Sequence, residues 1–171
     1  MKIACTIAPG RGDTDLLLLG VSKGLADRDV LCCGTVQINS ECETQGPCDM
    51  DVQCLPDGPV IRISQTLGKH ARGCRLDPNA LEQAVGWVET RLTQDIDVLI
   101  VNKFGKHEAD GRGFREAIAI ALAQDIPVIV GLNNMNKEAF HSFTGGLAVE
   151  LSPDADVLLG WVDEALGRVH S

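Results

Sequence analysis

The sequence predicts an α/β domain of three layers, a mostly parallel sheet flanked by helices. Two observations carry this expectation. Short apolar runs alternate with amphipathic stretches along the chain, as strand–helix repeats with right-handed crossovers do. The run 98–101 is apolar without interruption, as a parallel strand covered on both faces requires. The 171 residues fit a single domain over 1–171, long enough to bury a core without staples. With 44% hydrophobic and 23% charged residues, the composition is that of an ordinary globular chain.

The elements follow in order. An apolar first strand over 2–8 ends at Pro9-Gly10-Arg11-Gly12, and Leu16, Leu19 and Leu25 then suit a buried helix. A second strand is expected over 30–36. Residues 39–58, with acidic side chains, Gly, Pro and cysteines, predict a long functional loop or a small excursion. Val60, Ile61 and Ile63 suit a short strand. Asp77 and Pro78 are a good N-cap and first helical residue, and Leu81, Ala84, Val85, Val88 and Leu92 keep the spacing of one buried helix face. A third major strand is expected over 97–101, a helix over 114–123 and a strand over 126–130. A last strand over 147–151 and a closing helix over 153–169 complete the chain.

Composition excludes several function classes. The N-terminus lacks the apolar core of a signal peptide, and no apolar stretch approaches the roughly 20 residues that span a bilayer. A cytoplasmic location is therefore expected. A net charge of -9 argues against broad nucleic-acid or anionic-membrane binding. Seven cysteines, an odd number, favour thiols or a metal site over a disulfide framework.

In an open α/β sheet, ligands bind outside the carboxyl ends of the strands. Two loops qualify. The first spans 8–14. A phosphate-binding loop of the pattern G-x-x-x-x-G-K-[ST] surrounds phosphates with backbone N–H groups, a lysine and a magnesium-binding hydroxyl. Gly10 lies within this turn, and Gly12 and Thr14 stand at the second glycine and the hydroxyl position. Ile7 replaces the first glycine, and Asp13 replaces the lysine. The same residues also suit a plain tight turn with Asp13 at a helix N-terminus. The second loop, 102–114, follows the third major strand. Where such folds keep a magnesium-holding Asp and a catalytic Glu, this chain has Asn102 and Lys103.

Residues 102–108, Asn-Lys-Phe-Gly-Lys-His-Glu, resemble the D-E-I-G-x-x-E strand end of small bacterial and archaeal P-loop nucleoside-triphosphatases; Gly105 and Glu108 are kept. The segments 73–77, 101–106 and 111–115 look more closely like a bacterial family of unknown function found beside molybdate-transport genes, over about 4–151. The resemblance implies a P-loop-NTPase-like fold with degenerate Walker motifs, a link to molybdenum metabolism, and a protein partner in molybdate transport or cofactor pathways.

Seven of the 15 lysines and arginines, Lys69, Arg72, Arg75, Lys103, Lys106, Arg112 and Arg115, fall in two short windows. In an acidic chain this predicts a local pocket for phosphate, another oxyanion or a carboxylate. Pairing with Glu108, Asp110 and Glu116 is the alternative. Cys42, Cys48 and Cys54, six apart, are candidate metal or redox residues, although they lack the close C-x-x-C pair of zinc sites. His70 and His107 lie in the basic windows.

The first expectation is a nucleotide- or oxyanion-binding protein using Gly10, Gly12, Asp13, Thr14, Arg75, Asn102, Lys103, Lys106, Glu108 and Arg112, with little hydrolysis and with a nucleotide or oxyanion favoured over magnesium as the bound cofactor. The rivals are a nucleoside-triphosphatase with relocated catalytic groups, such as Glu108 or Asp110, and a thiol-based metal-handling or partner-binding accessory protein. The first and third major strands are expected to be neighbours. Their shared crevice then sets the Asp13 carboxylate near Asn102 or Lys103, as a charge-swapped pair.

Overall fold

A computed structural model describes residues 2–10, 12–39, 50–65, 76–93 and 95–168. Seven strands form one sheet: β1 (Ile3–Thr6), β2 (Cys32–Asn39), β3 (Met50–Leu55), β4 (Val60–Arg62), β5 (Val98–Phe104), β6 (Val128–Leu132) and β7 (Val149–Leu151). Their order is β4-β3-β2-β5-β6-β1-β7, parallel from β2 to β7 and antiparallel at the β2–β3 and β3–β4 pairs. The helices are α1 (Asp13–Asp27), α2 (Pro78–Arg91), α3 (Lys106–Ala109), α4 (Arg115–Ala123), α5 (Lys137–Thr144) and α6 (Ala155–Ala165). Among the described residues, no helix is long and apolar enough to cross a membrane.

The three layers follow from the alternation of side chains along the strands. Leu99 and Val101 of β5 join one core with α2, α4 and α5, through residues such as Val88, Ile118 and Phe140. Val98 and Ile100 join a second core with Leu18, Val21 and Leu25 of α1 and Leu158 and Val162 of α6. β5 and β6 are therefore buried on both sides, which their apolar sequences require.

Local chemistry sets several boundaries. The Asp77 carboxylate accepts from the N–H groups of Asn79 and Ala80 at 3.0 and 3.4 Å, and Pro78 follows it into α2. Asp154 caps α6 in the same way, accepting from Asp156 and Val157. Gly12 opens α1 at φ 79, a left-handed conformation that other residues adopt at a cost.

Two expectations are corrected. β6 lies between β1 and β5, so the first and third major strands are not neighbours. The loop expected over 39–58 contains β3, and Asn39 ends β2. Residues 50–55 alternate: Val52 and Cys54 are buried while Asp51 and Gln53 are partly exposed, so one acidic and one amide side chain on that face masked a period-two strand. Cys54 is thus a core residue of β3, and Cys42 and Cys48 lie outside the described residues. Helices α3 and α5 were not expected.

Gly34 of β2 holds φ 124 and faces Ile100 of β5, whose carbonyl oxygen occupies the space a Cβ would need. Gly34→Ala should lower stability by about 2–4 kcal/mol in chemical denaturation, through backbone strain and overlap at the centre of the sheet. A change within about 0.5 kcal/mol, as at ordinary surface positions, would contradict this packing.

Candidate functional site

The carboxyl ends of β1, β5 and β6 open on a cleft of about 430 Å³. Its walls are the turn after β1, the first turn of α1, Asn102 and Lys103 of β5, and the residues that end β6, with Gln37 and Met50 at the far side. Gly131 permits close approach here: a Cβ would strike the Asn102 carbonyl and crowd Thr14.

The turn is closed by its own residues. Asp13 N–H donates to the Gly10 carbonyl at 3.2 Å, and Ala8 N–H donates to the Thr14 hydroxyl at 3.2 Å. The Asp13 carboxylate folds over Gly10, filling the space a side chain there would occupy. Asp13 and Asp15 both lie in the first turn of α1, where carboxylates are favourable to the helix. The positive end of α1, which in a phosphate-binding loop meets the ligand, therefore faces two carboxylates of its own.

Asn102 is 4% exposed and fully engaged. Its Oδ1 accepts from Gln37 N–H at 2.8 Å, and its Nδ2 donates to Asp15 Oδ1 at 2.8 Å. The expected partnership of Asp13 with Asn102 or Lys103 is thus corrected. Asp15, two residues further into α1, meets Asn102, and no ion pair joins Asp13 to Lys103 among the described residues.

A second cleft of about 520 Å³ shares Gln37, Met50, Asn102 and Lys103 with the first. Lys103, Lys106 and Arg112 line it, against an apolar wall that includes Val52, Ile63, Leu81 and Phe114. The three cations are exposed, and none is ion-paired among the described residues. Arg115 is a different case, since its guanidinium stacks on Phe143 at 4.7 Å. Lys69, His70, Arg72 and Arg75 lie outside the described residues.

Glu108 does not neutralise these cations. Its carboxylate is buried and clamps the loop, Oε1 accepting from Gly105 N–H at 2.9 Å and Oε2 from Phe114 N–H at 3.0 Å. Burial raises its pKa above the usual carboxylate value, and the backbone donors partly offset this. Glu82 of α2 adds a second brace through His107 Nε2 at 3.1 Å and Gly113 N–H at 3.2 Å. Asp15, Gln37 and Glu82 are the site residues that sequence reasoning missed.

A family model described as "Protein of unknown function (DUF2478)" matches residues 3–161. The chain is 33% identical over 168 residues to the molybdenum import ATP-binding protein ModC 2 of Bradyrhizobium diazoefficiens. That match takes in 98% of this chain and 19% of the relative, so the chain spans less than a fifth of the relative's length. Among solved structures it is similar to THEP1 from the hyperthermophile Aquifex aeolicus, at 19% identity and a TM-score of 0.64 over 98% of this chain and all of that one. A human cancer-related nucleoside triphosphatase matches at the same identity and TM-score, over 99% of this chain and 100% of its own. The fold is the one these two structures share, an α/β arrangement with a mostly parallel sheet flanked by helices, as expected.

Two outcomes follow from this geometry. The folded state holds the Glu108 proton more tightly than the unfolded chain does, so the stability this group contributes falls as pH rises from the ordinary value of 4.5 through the raised one. The stability difference between wild type and Glu108→Gln, measured by denaturation at several pH values, should shrink as pH rises through that window; a widening difference would show that the ionised form is the favoured one. Asn102→Asp should set two carboxylates face to face and lower stability by about 1–3 kcal/mol, with magnesium restoring part of the loss in thermal melts. Unchanged melting in both conditions would mean that the Asn102–Asp15 bond carries no weight.

Proposed function

The chain belongs to the DUF2478 family, and we propose that it binds a nucleotide or another oxyanion across the two clefts without efficient hydrolysis. The observation that carries this is the contrast at the end of β5. The Asn102 amide is committed on both sides, while Lys103, Lys106 and Arg112 face a cleft with no carboxylate partner among the described residues. A nucleoside phosphate suits such a site, its charge meeting these three side chains and its base resting on the apolar wall of Val52, Ile63 and Leu81. The name of the molybdenum import relative supports nucleotide binding and an accessory role in molybdenum metabolism, molybdate being an oxyanion of the same class.

Poor hydrolysis follows from the same residues. Asn102 stands where a magnesium-holding acid is expected, and its oxygen already accepts a backbone hydrogen bond. Lys103 replaces the carboxylate base. Glu108, a candidate relocated acid, is buried and occupied by two backbone donors. Asp15 lines the first cleft and is oriented by Asn102, so a relocated hydrolase would have to rely on it or on Asp110 at the second cleft.

Calorimetric titration with ATP, GTP, phosphate and molybdate should detect binding of at least one. Lys103→Ala should weaken it by about tenfold or more, the loss of one charge-assisted contact of roughly 1.5–3 kcal/mol. Phosphate release in the presence of magnesium should stay at the buffer level. Binding by none of the four removes the proposal, and turnover abolished in Asp15→Asn would establish the hydrolase instead.

A further inference from the structure

Away from both clefts, three chemically distinct ligand groups converge on one face of the sheet. Cys5 of β1 is fully buried and is paired in register with Glu150 of β7, so the two side chains stand side by side on adjacent parallel strands. Helix α5 covers that face, with Phe140 fully buried in the same core cluster as Cys5. The next residue, His141, lies in the last turn of α5, whose left-handed cap is Gly145. A ligand atom of each of Cys5, His141 and Glu150 lies within 4.8 Å of the other two. We propose that these three residues form a binding site for a thiophilic divalent cation of the zinc class.

The donor set decides the class. A cysteine sulfur with an imidazole nitrogen selects zinc and similar borderline-soft ions over magnesium or calcium, which prefer oxygen alone. Bonds of about 2.0–2.3 Å around a tetrahedral zinc place ligand atoms about 3.5 Å apart, so no pair in the cluster need close by more than about 1.3 Å to bind. Glu150 has room for that movement, since its side chain is 47% exposed at the sheet edge. Three protein ligands leave a fourth position open to solvent at that edge.

Glu150 is already poised by charge. Lys137, one turn before His141 on α5, holds its Oε1 at 2.9 Å and leaves the second carboxylate oxygen for the ion. The site is structurally independent of the proposed anion clefts, because none of its three residues lines either cleft.

The test uses cobalt(II) as a spectroscopic probe and zinc(II) as its competitor, with the full chain kept reduced. One equivalent of cobalt should give a thiolate-to-metal charge-transfer band, displaced by zinc and absent in Cys5→Ser. His141→Gln at a half-buried position and Glu150→Gln at an exposed one should fold normally and weaken cobalt binding by at least about tenfold. These two variants decide the matter even if Cys5→Ser fails to fold. Absence of the band in wild type overturns the proposal. So does a band that survives in folded Cys5→Ser, or affinities in both glutamine variants within about twofold of wild type. Nucleotide binding is measured separately, so failure of the anion proposal leaves this result readable.

Discussion

The side chain of Asn102 ties together three segments that are remote in sequence. One end of its amide holds the backbone of β2 and the other holds a carboxylate in the first turn of α1, while its own backbone continues β5. Being buried, the group must satisfy both its donor and its acceptor, and it does so with partners 65 and 87 residues away. An aspartate at this position could accept from Gln37 but would meet Asp15 as a like charge. Asparagine and Asp15 are therefore a matched pair, and an uncharged amide at this position is built into the packing of the crevice.

The same constraint explains why the cations sit where they do. With carboxylates on α1 and an uncharged amide on β5, positive charge enters from the end of β5 and the segment after it, which Glu108 and Glu82 hold in shape. Glu108 spends its charge on backbone N–H groups, and Lys103, Lys106 and Arg112 have no ion-pair partner among the described residues. A short loop with three exposed cations would repel itself without such an anchor.

Much of the fold was legible in the sequence, because strands buried on both faces must be continuously apolar and α2 carries its own cap. The antiparallel β3 was not, since its outward residues are acidic and polar and sit between turn-forming segments. Strand order was not legible either: the placement of β6 between β1 and β5 is decided by crossovers, which local patterns do not encode. Of the lysines and arginines that cluster in sequence, Lys103, Lys106 and Arg112 line the second cleft, while Arg115 stacks on Phe143. The three-residue spacing of Gly105 and Glu108 carried an available capping signal. Asp15 and Gln37 had no local signal, because their roles exist only once distant segments meet.

Lys103 forms part of the wall of both clefts. A single ammonium group cannot fully neutralise a small anion on each side, so two separate anions would bind with antagonism, each raising the other's dissociation constant by the same factor. One elongated molecule bearing charge at both ends escapes that conflict, because its second contact is made at the high effective concentration set by the first. If anions bind as proposed, the shared lysine would act as a molecular ruler, favouring ligands long enough to reach from one compartment into the other over those that fill only one.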